Sequence, residues 1–158
     1  MKIRIDASRQ RLTLEDETGR VVKTCPVSTA ARGLGEANGT MCTPRGRHIV
    51  RAKIGGGKPL GTVFRGRRPT GEVWTPELHE RYPGRDWMLT RLLWLSGCEV
   101  GRNRLRDVDT MRRYIYIHGA PDNAPMGVPG SHGCVRMTNA DVAELFELVP
   151  PYTPVDIS

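Results

Sequence analysis

The chain has 158 residues, of which 38% are hydrophobic, and its formal net charge at pH 7 is +7. This length suits one domain spanning residues 1–158 with a buried core, and no apolar run approaches the length of a membrane-spanning helix, so no membrane association is predicted. The basic charge favours an anionic ligand, but only 6% of residues are aromatic and no basic run interleaves with them, which argues against nucleic acid as a partner.

The first third of the chain predicts short strands. Apolar and polar residues alternate at 2–6, 11–15 and 21–27, with a turn signal at 16–19, and this pattern predicts a β-meander. Residues 28–46 are rich in Gly, Asn, Thr and Pro and predict a loop that leads into a strand at 48–54. The 18 glycines and 12 prolines favour many short strands over a helical bundle.

The middle of the chain predicts one loop, one short helix and one buried strand. Residues 55–71 are glycine-rich and basic and predict a loop, after which Thr75 and Pro76 predict the start of a short helix that Pro83 ends. Periodicity does not distinguish a strand from a helix in the apolar run at 87–95, but the Gly and Pro residues on both sides favour a buried strand. Arg91 lies inside this run and requires a partner, either in a structural ion pair or in a substrate carboxylate.

The last third predicts two strands, a helix and a final strand. Residues 97–112 predict a polar loop, and strand-like runs follow at 113–117 and 133–137. Thr138 and Asp141 resemble a helix-capping box, and the residues after them place one apolar face on a helix that ends at Pro150: Val142, Leu145, Phe146 and Val149. Residues 155–157 predict a last strand at the edge of the sheet.

Two histidines and one cysteine form the main chemical feature of the sequence. His118, His132 and Cys134 lie within seventeen residues, and an imidazole beside a thiol can remove its proton and make it a nucleophile. In an extended segment His132 and Cys134 point to the same face, so His132 competes with His118 as the base. Their spacing fits no common zinc pattern, so no metal is predicted, and the four cysteines, which form no C-x-x-C pair, are expected to be free thiols.

The same stretch resembles a known family signature. His118-Gly119, a loop, and then Ser131-His132-Gly133-Cys134-Val135-Arg136-Met137 resemble the signature of the L,D-transpeptidase (YkuD) family. Pro26-Val27-Ser28-Thr29 and Thr43-Pro44-Arg45-Gly46 resemble two weaker landmarks of that domain. The resemblance implies a mainly β fold, a sandwich or barrel of antiparallel and mixed strands with one amphipathic helix on the C-terminal side and a short helix in a loop insertion.

The resemblance also implies roles for the residues of the signature. Cys134 would be the nucleophile and His118 the general base, with the imidazole of His118 oriented by the backbone carbonyl of Gly119. The N–H group of Gly133 would stabilise the oxyanion together with that of Cys134. His132 would support the site from nearby or serve as the alternative base.

Four further residues are predicted to contact substrate. Arg136 should share a face with Cys134 and either form a structural salt bridge or meet a carboxylate of the acyl donor. Ser131 is expected to fix the loop beside the nucleophile. Arg91 and Trp74 are the other candidates for a substrate groove.

The implied activity is acyl transfer on peptidoglycan tetrapeptide stems without a cofactor. The family forms a cysteine thioester at the bond between an L-centre, such as that of diaminopimelate, and D-Ala. Because the chain opens at Met1 without an apolar export segment, a cytoplasmic L,D-carboxypeptidase that trims recycled muropeptides is expected, with no obligate protein partner. The alternatives are a periplasmic cross-linking L,D-transpeptidase and, in another class, a non-catalytic module that binds peptidoglycan or peptide.

Overall fold

The computed structural model describes residues 1–158, which form ten strands, two helices and one 3-10 turn. The strands are β1 Lys2–Asp6, β2 Arg11–Glu15, β3 Val21–Pro26, β4 Gly46–Ile54, β5 Thr62–Arg65, β6 Arg68–Val73, β7 Met88–Gly97, β8 Tyr116–Gly119, β9 Val135–Met137 and β10 Pro154–Ile157. The helices are α1 Pro76–Arg81 and α2 Asn139–Leu148, and the 3-10 turn is Arg106–Val108. The predicted mainly β architecture with one C-terminal-side helix and one short inserted helix is confirmed.

The strands form one mixed sheet in the order β3-β2-β1-β10-β4-β7-β5-β6, with β8 paired to β7 and β9 paired to β8. The prediction that the last strand lies at an edge was wrong, because β10 is inserted between β1 and β4. Its parallel partner β1 comes from the opposite end of the chain, and Val155 and Ile157 are buried. A short local pattern does not contain this pairing between the two chain ends.

Strand β7 is the centre of the molecule, as the predicted buried strand at 87–95 indicated. It pairs with β4 and β5 on one edge and with β8 on the other, and its side chains are buried or half-buried. Both faces of the strand are covered, with Leu93 and Leu95 in the main core and Leu92 in a second apolar cluster, which explains why its sequence is a continuous apolar run without alternation. A register shift between Leu89 and Leu92 bulges the strand, with Thr90 at a φ of +73°.

Helix α2 packs its apolar face on the sheet through Val142, Leu145 and Phe146. The Thr138 hydroxyl accepts a hydrogen bond from the Asp141 N–H, which is half of the predicted capping box. The other half is absent, because the Asp141 carboxylate pairs with Lys23 on β3. No helix of the structure combines the length and the apolar character that crossing a bilayer requires.

Two local predictions were wrong. The expected loop at 55–71 contains the hairpin β5–β6, whose turn holds Arg67 in the left-handed region at a φ of +64°. The strand predicted at 113–117 begins only at Tyr116, because Tyr114 also has a left-handed backbone, with a φ of +56°. Non-glycine residues rarely adopt this conformation, so the residue types did not indicate either turn.

Candidate active site

The site is built at the junction of β8 and β9. These strands pair in parallel, with His118 opposite Arg136, and Cys134 is the residue before β9. His118 and Cys134 therefore face the same cavity of about 180 Å³. The cavity is lined by Asp86, Met88, Arg113, Tyr114, Ile115, His118, Ser131, His132, Cys134 and Arg136.

The Cys134 thiol is held by the backbone of the segment that leads into β8. Its Sγ donates to the Tyr114 carbonyl oxygen over 3.4 Å and accepts from the Tyr116 N–H over 3.3 Å. Burial raises the pKa of Cys134 to about 12, and the Tyr116 N–H opposes that rise. Cys134 is therefore a protonated thiol at neutral pH.

The His118 imidazole is oriented by its neighbour. Its Nδ1 lies 2.6 Å from the carbonyl oxygen of Gly119, the contact that the family resemblance implied. A carbonyl oxygen only accepts, so Nδ1 carries the proton of the neutral ring and Nε2 keeps its lone pair. Burial lowers the pKa of His118, against the effect of the Gly119 carbonyl, so the ring is neutral and can act as a base.

The resting thiol and the imidazole do not form a preformed ion pair. No hydrogen bond joins Cys134 to His118, because the thiol is hydrogen-bonded to the backbone of Tyr114 and Tyr116. The cost of burying a thiolate is the largest influence on the pKa of Cys134, and the Tyr116 N–H, Arg136 and Arg113 oppose it only in part. Proton transfer to His118 requires the thiol to leave the Tyr114 carbonyl.

The nucleophile lies at the end of a tight turn formed by residues 131–134. Ser131 Oγ donates to the Cys134 carbonyl oxygen and accepts from the Gly133 N–H at 3.1 Å. Gly133 has a φ of +132°, and a Cβ built there would approach the Cys42 carbonyl oxygen at 3.3 Å. Only glycine fits this position without strain.

The two weaker sequence landmarks, at residues 26–29 and 43–46, both hold this turn in place. The Thr43 hydroxyl donates to the Gly133 carbonyl oxygen at 2.8 Å and accepts from the Ala30 N–H at 2.9 Å. Ser28 exchanges two backbone hydrogen bonds with Arg136, each 2.9 Å long. Both loops from the first third of the chain therefore fix the backbone on either side of Cys134.

The two oxyanion donors that the resemblance implied differ in their resting hydrogen bonds. The Gly133 N–H is already bonded to Ser131 Oγ, whereas the Cys134 N–H makes no protein hydrogen bond. An oxyanion formed at the nucleophile would therefore meet the Cys134 N–H first. A second donor would have to come from Gly133 after a change of partner, or from Tyr116, whose N–H now bonds the thiol.

A charged cluster that includes Asp86 borders the nucleophile. Asp86 Oδ1 lies 3.3 Å from Arg136 Nη2, and its Oδ2 lies 3.7 Å from His132 Nδ1. Arg136 thus forms the structural salt bridge that was one of its two predicted roles, and it also donates to the Gly130 carbonyl oxygen. Asp86 raises and Arg136 lowers the pKa of both His118 and Cys134.

Comparison with known proteins identifies the family. The sequence pattern of the L,D-transpeptidase catalytic domain (YkuD) matches residues 1–157. The chain belongs to the L,D-transpeptidase family.

Relatives of this L,D-transpeptidase domain are longer proteins. The probable L,D-transpeptidase YbiS of Escherichia coli (strain K12) is 32% identical over 93 residues, which are 56% of this chain and 29% of that protein. An L,D-transpeptidase from Mycobacterium smegmatis has a TM-score of 0.56 at 19% identity, covering 99% of this chain and 57% of that chain. A mutant L,D-transpeptidase from Enterococcus faecium has a TM-score of 0.59 at 17% identity, covering 99% of this chain and 49% of that chain. These likenesses extend the family's fold over the whole chain.

Two of the predicted substrate-binding residues lie outside the Cys134 cavity. Arg91 donates to the carbonyl oxygens of Thr90 and Lys58 and has no carboxylate partner, so the predicted ion pair is absent. Trp74 packs with Trp87 and donates to His79 at 3.1 Å. Neither residue faces the nucleophile of this L,D-transpeptidase domain.

Sequence reasoning missed three residues that contact the site. Asp86 has no motif around it and reaches Arg136 because it lies just before β7, which β8 connects to β9 in the sheet. Tyr114 and Tyr116 contact the thiol through backbone atoms, which no side-chain pattern reveals. The predicted loop at 97–112 contributes no residue to the lining of the cavity, which consists of Asp86, Met88 and residues from Arg113 onward.

Proposed function

We propose that this L,D-transpeptidase domain transfers the acyl group of a peptidoglycan stem peptide through a thioester on Cys134. One observation carries the proposal: Cys134 and a neutral His118 with a free Nε2 line the same small cavity. The cavity also contains Arg136 and Ser131, the predicted contacts for the acyl donor. No cofactor takes part in the proposed reaction.

The chemistry follows from these groups. His118 Nε2 accepts the thiol proton while Cys134 Sγ attacks the carbonyl carbon of the L-centre that precedes D-Ala. The tetrahedral oxyanion collapses, the C–N bond breaks, and the imidazolium returns the proton to the amine of the departing D-Ala. The thioester is then attacked by water or by an amine, and His118 serves again as base.

A larger cavity beside the nucleophile supports a peptide donor. It has a volume of about 750 Å³, includes residues of β5, β6 and the α1 insertion, and shares Asp86 with the Cys134 cavity. The small cavity suits the reacting bond, and the larger one suits the rest of a stem peptide. Arg136, 21% exposed in its side chain, lines the Cys134 cavity and is the cation placed to meet a donor carboxylate beside the nucleophile.

Within this function, we propose that water is the preferred acceptor and that the protein is a cytoplasmic L,D-carboxypeptidase. The support for water as the acceptor is the small volume of the Cys134 cavity, about 180 Å³, which the Asp86–Arg136 ion pair borders. The second candidate is a periplasmic cross-linking L,D-transpeptidase, which the name of the similar YbiS protein favours.

One experiment separates these functions. The protein is incubated with a disaccharide tetrapeptide in ¹⁸O-labelled water, with and without a second muropeptide as acceptor, and the products are measured by mass spectrometry. Labelled tripeptide plus D-Ala is the expected result. Predominantly L,D-linked dimers would identify a transpeptidase, and binding without any product in protein and Cys134→Ala variant alike would identify a non-catalytic binding module.

A further inference from the structure

The tip of the hairpin β5–β6 contacts the segment whose backbone is hydrogen-bonded to the nucleophile. Arg67 lies in the turn of this hairpin, and its guanidinium carbon is 4.8 Å from the ring centre of Tyr114 and 4.9 Å from that of Trp94. Its Nη1 also donates to the Tyr116 hydroxyl oxygen at 3.2 Å. One side chain thus contacts three aromatic rings.

The three aromatic rings pack together around Trp94. The Trp94 ring centre lies 6.1 Å from that of Tyr114 and 5.8 Å from that of Tyr116, and the Trp94 indole N–H donates to the Met111 carbonyl oxygen. Arg67 forms no salt bridge with any carboxylate. The π faces and one phenol oxygen are its partners, so its contacts there are specific and not those of a solvated charge.

Tyr114 and Tyr116 are also the two residues whose backbone holds the nucleophile. The Tyr114 carbonyl accepts from Cys134 Sγ, and the Tyr116 N–H donates to it. Tyr114 is in the left-handed region at a φ of +56°, a conformation that a bulky residue keeps only where its surroundings impose it. The ring contacts with Arg67 supply such a constraint.

We propose that Arg67 is a positioning residue that acts on Cys134 through Tyr114 and Tyr116. By fixing both rings from the hairpin tip, it keeps the carbonyl and the N–H on the thiol. Loss of the side chain releases the Tyr114 peptide and admits solvent to Cys134. The hairpin thereby affects the position of the Cys134 thiol as well as the shape of the substrate groove.

The test is site-specific alkylation of the intact protein by iodoacetamide at pH 8, with each cysteine-containing peptide quantified by mass spectrometry. The parent is compared with Arg67→Ala, Arg67→Lys and Arg68→Ala. Arg68 is the matched control, since it lies on the same hairpin, is exposed and forms no side-chain hydrogen bond or ion pair. Cys25 is an internal control for global unfolding, because it is 4% exposed in the main core at the other end of the sheet.

In Arg67→Ala, Cys134 should react about tenfold faster, because two cation–π contacts and a charge-assisted hydrogen bond no longer oppose local opening. Arg67→Lys should recover only part of the protection, because an ammonium cannot contact both ring faces and the Tyr116 hydroxyl at once, and Cys25 should react at the parent rate in every variant. Equal or slower labelling of Cys134 in Arg67→Ala overturns the proposal. Faster labelling of Cys25 in parallel with Cys134 also overturns it, since Arg67 would then merely stabilise the fold.

A second measurement uses turnover and rests on the proposed function, whereas the labelling does not. With a tetrapeptide donor, Arg67→Ala should lower kcat about tenfold and change KM less than about threefold, because a misplaced nucleophile affects the chemical step more than binding. A rise in KM with kcat unchanged would make Arg67 a substrate contact and overturn the positioning role. Absence of turnover in the parent would contradict the proposed function alone, and the labelling would still decide the role of Arg67.

Discussion

Burial keeps both reacting residues uncharged in the resting site. Cys134 and His118 are 9% and 1% exposed, so each is neutral at rest: the thiol keeps its proton and the imidazole lacks its second one. Such a pair is unreactive until a substrate carbonyl and its polar groups change the surroundings of the thiol. A general base that is already neutral at pH 7 is then available to take the proton.

Removal of the nucleophile should stop turnover without unfolding the protein. Cys134→Ala is expected to lower kcat about a thousandfold or more, because no other thiol lies in the cavity. Steady-state rates with a tetrapeptide measure this effect. Cys98→Ser is the matched control, since Cys98 is an exposed free thiol, and it should keep the parent rate. A Cys134→Ala rate within tenfold of the parent would remove the nucleophile assignment.

The two histidines should differ sharply in their effect on rate. His118→Ala is expected to lower kcat about a hundredfold, the typical loss of a general base, whereas His132→Ala should cost less than about tenfold. The reason is position: His118 has a fixed ring with a free Nε2, while the half-exposed His132 faces Asp86. Single-turnover release of D-Ala compares the two variants. A larger loss in His132→Ala would reverse their roles.

At the scale of the element, the site depends on loops that carry no catalytic group. The turn 131–134 has only one short strand after it, and its geometry is maintained by backbone and hydroxyl contacts from residues 28–31 and Thr43. Thr43 is fully buried and connects Ala30 to Gly133 with one hydroxyl. Each backbone group that it serves would be left without a partner if the hydroxyl were lost.

Replacement of Thr43 by an isosteric apolar residue should show this dependence. Thr43→Val is expected to lower the free energy of unfolding by about 3 kcal/mol, because two buried polar groups lose their hydrogen bonds. It should also lower kcat by displacing Gly133. Urea unfolding and turnover are the measurements. Thr13→Val on β2, whose hydroxyl makes no hydrogen bond, should change stability by less than about 0.5 kcal/mol, and an equal effect of both variants would contradict this account.

At the scale of the whole molecule, buried histidines make the fold sensitive to acid. His48 is 1% exposed, and its ring nitrogens form hydrogen bonds with the Gly46 carbonyl and the Thr110 hydroxyl. Burial lowers the pKa of His48 from 6.5 to about 4, opposed by the Gly46 carbonyl, and burial lowers the pKa of His118 in the same direction. The unfolded chain therefore binds more protons than the folded one as the pH falls below 6.5, and stability decreases from there to about pH 4.

This linkage predicts how a His48 variant behaves. Between pH 7 and pH 4.5 the parent should lose about 2 kcal/mol more stability than His48→Gln, because glutamine does not take up a proton on unfolding. Urea unfolding at the two pH values measures both changes. His79→Gln, at a histidine that is only half-buried, is the control for the substitution itself. Equal slopes for the parent and His48→Gln would show that His48 does not carry the acid sensitivity.

The sequence by itself determined those features that depend on neighbouring residues. Alternation at β1 and β2, the cap at Thr138 and the apolar face of α2 are local patterns, and they predicted these elements because the side chains of one segment decide which face it buries. The family resemblance likewise brought Cys134 and His118 together and named Gly119 as the partner of the imidazole. All of this information lies within short stretches of the chain.

Only the tertiary structure decided the features that depend on distant partners. β10 lies inside the sheet because β1 and β4 both pair with it, and Asp86 reaches Arg136 because sheet pairing brings the start of β7 close to β9 through β8. The protonation state of Cys134 was decided by burial, and the placement of Arg67 by a turn in the left-handed region. Dehydration and contact between remote segments arise from the folded arrangement, so no local pattern of residue types contains them.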